Sequence, residues 1–161
     1  MSQELFDSVG AHTRDLAIHL AHEIKQAQHP HYQAVELPLL EERTAQLVEA
    51  FHQSMRGDPR PFVSYVRLLS EARHQEGYYL EEIQTLLSML EERVWTLVLE
   101  ESPFRRAVSH LAVVTTVIGK AKDELARVYL EAKHRSDLTI EELTKRLAEL
   151  QGTDPIVELG V

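Results

Sequence analysis

The sequence of 161 residues contains no cysteine, and this absence excludes several kinds of site at once. A disulfide scaffold, a zinc finger, an iron–sulfur centre and a thiol nucleophile all require cysteine. Glycine and proline are also scarce, with six of each, which disfavours a turn-rich β protein and favours helices. The length fits one domain with a hydrophobic core, because domains commonly contain about 100 to 150 residues.

Basic residues are in the minority, since 17 Lys and Arg stand against 26 Asp and Glu and the formal net charge is −9. This balance disfavours nucleic acid and anionic membrane surfaces as partners. Acidic pairs such as Glu81 and Glu82 are interpreted as parts of solvated helix faces. We therefore expect the charge to serve solubility and contacts with other proteins.

The beginning of the chain lacks the pattern of a secretion signal. Glu4 and Asp7 come early, and no basic start is followed by an apolar run. The longest apolar-leaning stretch, residues 111–118, is far shorter than the roughly 20 residues of a membrane span. We therefore expect a cytoplasmic protein without a membrane segment.

Apolar residues recur along most of the chain at the three- and four-residue spacing of amphipathic helices. The predicted helices cover about residues 4–27, 39–55, 58–77, 80–100, 102–134 and 139–151. Their boundaries are marked by Pro30, Pro38, Gly57, Pro59, Gly77 and Pro103. The sequence thus predicts an all-α protein, a compact bundle of about six helices with a long fifth helix and a short C-terminal helix.

The start of the C-terminal helix has a local signature. Thr139 and Glu142 have the spacing of a capping box, and Leu138 and Leu143 occupy the two positions of a hydrophobic staple. The apolar residues on one face of this helix are Ile140, Leu143, Leu147 and Leu150. They form the seam of a short coiled coil and a candidate dimer interface, or else the inner face of a lid on the same domain.

Nine histidines raise the hypothesis of a metal or haem site. Glu71 with His74 and Glu131 with His134 have the Glu-x-x-His spacing of di-iron bundles. Helical geometry, however, places both pairs away from the apolar faces of their helices. Five more histidines lie close together near the N-terminus, at His12, His19, His22, His29 and His31. Histidine-dependent binding of haem or a metal, of globin-like or ferritin-like type, remains the alternative.

No pattern of nucleophile and base, glycine-rich phosphate loop or basic patch with interleaved aromatics is present. We therefore predict no catalytic, cofactor-binding or metal-binding residue, no cofactor and no enzyme activity. Tyr78 and Tyr79 follow Gly77 before a predicted helix. One ring could be buried and the other exposed, and either could contact a ligand.

Residues 57–100 resemble the middle of the RsbRD-type N-terminal domain, a sensory module of RsbT co-antagonist proteins in bacterial stress-signalling assemblies. The residues of this stretch that carry the resemblance are Arg73, Gly77, Leu80, Arg93 and Trp95. An upstream segment, residues 29–51, resembles the entry to the family's second helix and has Tyr32 in the usual aromatic place. The resemblance implies a globin-related helical bundle without haem, usually a homodimer, whose long last helix carries a signal to an output domain.

Members of that family typically continue into a STAS or kinase domain, whereas the sequence here ends at Val161. The resemblance therefore implies a non-enzymatic regulatory domain that lacks its own output domain and acts through dimerisation or contacts with proteins of a signalling pathway. On this basis we divide the chain into a sensor-like helical bundle, residues 1–135, and a short C-terminal helix with a tail, residues 136–161.

Overall fold

The computed structural model describes residues 2–152 and contains seven helices in that range. They are α1 (Ser2–Gly10), α2 (Thr13–Gln26), α3 (Pro30–Ala34), α4 (Leu37–Gln53), α5 (Arg60–Gln75), α6 (Leu80–Glu101) and α7 (Phe104–Gln151). The all-α prediction is confirmed, with seven helices where about six were expected. The predicted tail from residue 153 onward lies outside the described residues.

One hydrophobic core joins the helices, and α7 packs against both α5 and α6 while α2 packs against α4. The largest fully buried side chains are Tyr32, Phe51, Phe62, Leu5, Leu20, Ile24, Leu40, Leu47, Met55, Ile83, Leu87 and Leu90. Within residues 2–152, no helix combines the length and apolar character needed to cross a bilayer.

The first predicted helix is in fact two helices, because the chain bends after Gly10. A Cβ at Gly10 would lie only 2.7 Å from Nε2 of His52. That nitrogen also lies 2.9 Å from the carbonyl oxygen of Phe6, so α4 holds the end of α1 closely. The bend allows Leu5 on α1 and Leu16 on α2 to reach the same core.

The interruption expected near residues 29–31 contains the short helix α3. Gln28 adopts a left-handed φ of 60° after α2, and Pro30 then occupies the first turn of α3. Proline suits that position, because the N–H that it lacks would have no partner within the helix. The result is that Tyr32 points into the bundle and is buried.

The bounds of α4, α5 and α6 lie within a few residues of the predicted ones. Pro38 lies in the first turn of α4, as expected. Asp58 accepts a hydrogen bond of 3.1 Å from the backbone N–H of Arg60 at the start of α5. Local turn chemistry therefore determines these boundaries.

Gly77 lies two residues after the end of α5 and has a positive φ of 89°. A Cβ there would lie 3.7 Å from Nε2 of His31, an ordinary contact, so the strain of an added side chain comes from the backbone. We expect Gly77→Ala to lower the free energy of unfolding by about 1–2 kcal/mol, measured by urea denaturation.

Gly119 is the matched control for that substitution, because it lies within α7 and a Cβ there meets no atom within 4 Å. Gly119→Ala should raise stability by up to about 1 kcal/mol through helix propensity. Two substitutions that shifted stability equally and in the same direction would contradict the argument from φ.

The predicted break between the long fifth helix and the C-terminal helix is wrong, because α7 is one continuous helix of 48 residues. The hydroxyl of Thr139 donates 2.9 Å to the carbonyl oxygen of Arg135, one turn earlier, which is a bond made inside a helix. The helix ends instead at Gly152, which has a left-handed φ of 72°.

Two parts of α7 differ in their surroundings. Its buried residues between 104 and 132 are Ala107, His110, Val114, Val117, Ile118, Ala121, Leu125, Val128 and Ala132. Residues 133–151 are mostly exposed and extend for roughly 28 Å at 1.5 Å per residue. We call residues 133–151 the α7 extension. The predicted domain boundary at 135/136 falls inside α7, and the division into domains stays a prediction.

Candidate functional site

Five polar side chains from α3, α4, α5 and the α5–α6 turn lie together, two of them buried and three partly buried. We call Tyr32, Arg43, Tyr65, Arg73 and Tyr78 the arginine–tyrosine cluster. The positive φ of the preceding glycine turns the chain so that Tyr78 is buried and the next residue, Tyr79, is exposed. This agrees with the expectation of one buried and one exposed ring.

The cluster is connected by aromatic and cationic contacts. The rings of Tyr32 and Tyr78 meet edge to face with centroids 5.0 Å apart. Arg43 donates from Nη1 to the Tyr78 hydroxyl at 3.3 Å. The guanidinium of Arg73 lies 5.6 Å from the centroid of the Tyr78 ring, within the range of a cation–π contact. The cluster thereby holds α3, α4 and α5 against the turn.

A small cavity of about 10 Å³ lies within the cluster. Its walls are formed by Tyr32, Leu40, Arg43, Thr44, Leu47, Tyr65, Leu69, Arg73 and Leu86. Burial raises the pKa of Tyr32 well above its usual range, although the charge of Arg73 acts in the opposite direction. Burial also raises the pKa of Tyr65. Both hydroxyls are therefore protonated at neutral pH and can donate hydrogen bonds.

Glu82 lies beside the cluster, and its side chain is only 1% exposed. Its carboxylate accepts hydrogen bonds from the backbone N–H groups of His31 at 2.8 Å and Tyr79 at 2.9 Å, and Nδ1 of His31 lies 2.6 Å away. Burial raises the pKa of Glu82, but these hydrogen bonds outweigh it, and the net pKa is lowered. The expectation that Glu82 faces solvent is wrong, whereas Glu81 is exposed.

The turn that carries Tyr78 also contacts α7. The hydroxyl of Tyr129 donates to the carbonyl oxygen of Tyr78 at 2.7 Å, and the ring of His31 stacks on Tyr78 with centroids 4.8 Å apart. The ring of His74 meets that of Tyr129 edge to face at 5.0 Å. Contacts between rings and backbone therefore link α3, the α5–α6 turn and α7.

The structure brings together only part of the residues expected from the resemblance. Tyr32 and Arg73 belong to the cluster, Gly77 directly precedes Tyr78, and Leu80 begins α6 two residues after Tyr78. Arg93 instead forms an ion pair with Glu23 of α2. Trp95 is partly exposed on the outer side of α6. The cluster is thus a local site, and the last two residues belong to other surfaces.

Sequence reasoning missed Arg43, Tyr65 and Glu82. Arg43 and Tyr65 look like ordinary polar positions between apolar ones on α4 and α5. The sequence does contain a signal for Glu82. A glutamate at the third position of a helix often accepts a hydrogen bond from the backbone N–H of the residue just before the helix. Glu82 accepts such a bond from the backbone of Tyr79.

The histidine pairs do not converge on one another. No group of three or more His, Asp or Glu within residues 2–152 lies close enough to hold a metal ion. Glu131 pairs with Arg127 at 2.7 Å, while His134 and Glu71 are exposed. The cavity of the cluster is far smaller than a haem. In the described part of the chain, no observation favours the binding of haem or a metal over a non-enzymatic regulatory role.

The predicted interface residues Ile140, Leu143, Leu147 and Leu150 all lie on the α7 extension, where their exposed fractions range from 53% to 85%. At 100° per residue, they fall within about 80° of one another around the helix. We call these four residues the α7 stripe. The alternative of a lid that packs on its own domain is wrong for these side chains, because they remain open to solvent.

Comparison with models of protein families, with curated proteins and with solved structures finds no match to this chain. The resemblance carried by residues 57–100 therefore stays a prediction.

Proposed function

We propose that this chain is a non-enzymatic regulatory domain that acts through association with a second copy of itself and with other proteins. The observation that carries the proposal is α7, which packs into the bundle up to Ala132 and then continues through the α7 extension, where the α7 stripe is exposed and Ala148 is buried. Burying a leucine or isoleucine side chain contributes about 1.5–3 kcal/mol. A stripe with alternating steps of three and four residues suits a partner helix.

The contacts between the cluster and α7 give the proposal its regulatory part. Tyr129 hydrogen-bonds to the turn that carries Tyr78, and α7 packs along both α5 and α6. A change in how α3, α4 and α5 pack at the cluster would therefore move α7. Because α7 is one helix, that movement would reach the α7 extension and alter the geometry of the associated chains.

The arrangement at the cluster supports a non-enzymatic role. Its cavity of about 10 Å³ is too small for an organic substrate. Tyr78 and Glu82 form contacts that join one helix to another. Such contacts fix and report the packing of helices.

On the basis of the resemblance of residues 57–100, we propose that the domain acts in bacterial stress signalling, in the cytoplasm, with a fold related to globins that do not bind haem. In that setting the partners are a second copy of the chain and proteins of a signalling pathway. The α7 extension would be the surface that those partners contact.

Association in solution tests the proposal. We expect multi-angle light scattering on the purified chain, at tens of micromolar, to give twice the mass of the 18.5 kDa chain. Dilution should shift the population towards the monomer, because a monomer–dimer equilibrium depends on the protein concentration. A mass of one chain at every concentration up to tens of micromolar would remove the proposed function.

A further inference from the structure

Two buried polar atoms in the arginine–tyrosine cluster have no hydrogen-bond partner within the described chain. They are the hydroxyl oxygen of Tyr32 and Nε of Arg73. The Tyr32 residue is 2% exposed, so water at the protein surface does not reach its hydroxyl. Buried polar groups almost always have a partner, and leaving one unpaired costs about 1–3 kcal/mol. Each of the two groups therefore needs an acceptor that the described chain does not supply.

The cavity of about 10 Å³ lies where both of these side chains form the wall. That volume admits the centre of one water-sized group. A single atom or a water molecule would fit, whereas sulfate, phosphate and organic anions would not. The size of the cavity thus limits the occupant to two classes.

The charges of the wall distinguish between the two classes. Arg43 and Arg73 both line the cavity, and no carboxylate does. Arg73 is paired with Glu76 at 2.9 Å, whereas the contact of Arg43 is its hydrogen bond to the Tyr78 hydroxyl. An arginine N–H can only donate a hydrogen bond, and a buried tyrosine hydroxyl with a raised pKa stays protonated. An anion accepts from every such donor and also offsets the positive charge of the two guanidinium groups, which a water molecule does not do.

We propose that this cavity binds a single-atom anion, chloride under ordinary conditions, through the Tyr32 hydroxyl and the Arg73 Nε–H with Arg43 in the wall. The ion lies between side chains of α3, α4 and α5, so its binding fixes the relative positions of these helices. This inference does not depend on the proposed function, since a monomeric chain could still bind chloride.

Chloride binding is tested directly by the ³⁵Cl NMR line width of chloride solutions containing the protein. We expect the protein to broaden the chloride line. Added bromide should reverse the broadening, because it competes for the site, whereas sulfate at equal ionic strength should leave most of the broadening in place. Tyr32→Phe removes only the hydroxyl and should weaken binding about tenfold, the effect of one hydrogen bond to a charged group. Tyr79→Phe is the matched control, because this neighbouring ring is exposed and lies outside the cavity wall.

Thermal unfolding gives a second measurement. Replacing sodium gluconate by sodium chloride at constant ionic strength should raise the Tm by about 2–4 °C, because a ligand that binds only the folded chain stabilises it. Arg43→Gln should abolish most of this rise in Tm. Arg43 is only partly buried on α4, so this variant serves as the test if Tyr32→Phe does not fold.

Three results would overturn the inference. The first is a line width that does not respond to the protein. The second is a Tm that is equal in gluconate and chloride. The third is a chloride response that Arg43→Gln leaves unchanged. In the first two cases the occupant of the cavity would be water.

Discussion

Replacing Glu82 by alanine is expected to lower the free energy of unfolding by about 3 kcal/mol. The carboxylate is almost fully buried and accepts hydrogen bonds from the backbone N–H groups of His31 and Tyr79. Alanine leaves both groups without an acceptor, and the start of α6 loses its contact with α3. Urea denaturation of the natural and variant chains at pH 7 measures the difference.

The same carboxylate gives the stability a defined dependence on pH. The pKa of Glu82 is lowered in the folded chain, because the hydrogen bonds to its ionised form outweigh burial. A group with a depressed folded pKa stabilises above its unfolded pKa and loses this contribution as the pH falls through the folded value. The difference between the natural chain and Glu82→Ala should therefore be full at neutral pH and shrink below about pH 4.5, the ordinary value of a glutamate carboxyl.

Glu81→Ala is the matched control for this experiment. Glu81 lies next to Glu82 in the first turn of α6 but is exposed. Its loss removes the same charge near the same helix N-terminus and should change stability by about 0.5 kcal/mol or less. If Glu81→Ala and Glu82→Ala had similar effects, the hydrogen bonds of the buried carboxylate could not be the cause.

The helix boundaries that the sequence predicted well are those determined by neighbouring residues. Pro38 and the Asp58–Pro59 pair act on the first turn of the helix that follows them, so their effect is visible in a short stretch of sequence. At the bend after Gly10, a Cβ would lie only 2.7 Å from Nε2 of His52, which lies on α4. No pattern along the first helix contains that contact, and the apolar spacing therefore predicts one helix across the bend.

The capping box at Thr139 and Glu142 predicts a helix start that the structure does not contain, because α7 continues through these residues. The motif is present, but the threonine hydroxyl also finds an acceptor in the carbonyl oxygen one turn earlier, inside a continuing helix. A capping motif stabilises a helix start only where the preceding residue leaves helical geometry. Residues 120–151 of α7 contain neither glycine nor proline. No residue in this stretch therefore forces the backbone to leave helical geometry before Thr139.

The candidate site was predictable only in part for a similar reason. The resemblance singles out Tyr32, Arg73 and Gly77, whereas Arg43 has no unusual neighbours in the sequence and the capping signal of Glu82 predicts no contact with His31. What makes them part of the site is the packing of α3 and α4 against the α5–α6 turn and the start of α6. That packing joins residues about 50 positions apart, and periodicity along one helix carries no information about it.

Replacing Leu143 and Leu147 together by aspartate is expected to abolish association at concentrations where the natural chain is dimeric. Each leucine contributes about 1.5–3 kcal/mol when buried, and two copies of each would be buried in a symmetric dimer. We therefore expect the dissociation constant to rise by about 100-fold or more. Sedimentation equilibrium over a range of concentrations measures it.

The fold should survive this double substitution, because both leucines are more than half exposed and lie beyond the part of α7 that packs into the bundle. The matched control is Leu68→Asp on α5, where the leucine is 62% exposed and lies outside the α7 stripe. The control should associate like the natural chain. If Leu68→Asp dissociated the dimer and the double variant did not, the interface would lie on the bundle, and the α7 extension would be free for another partner.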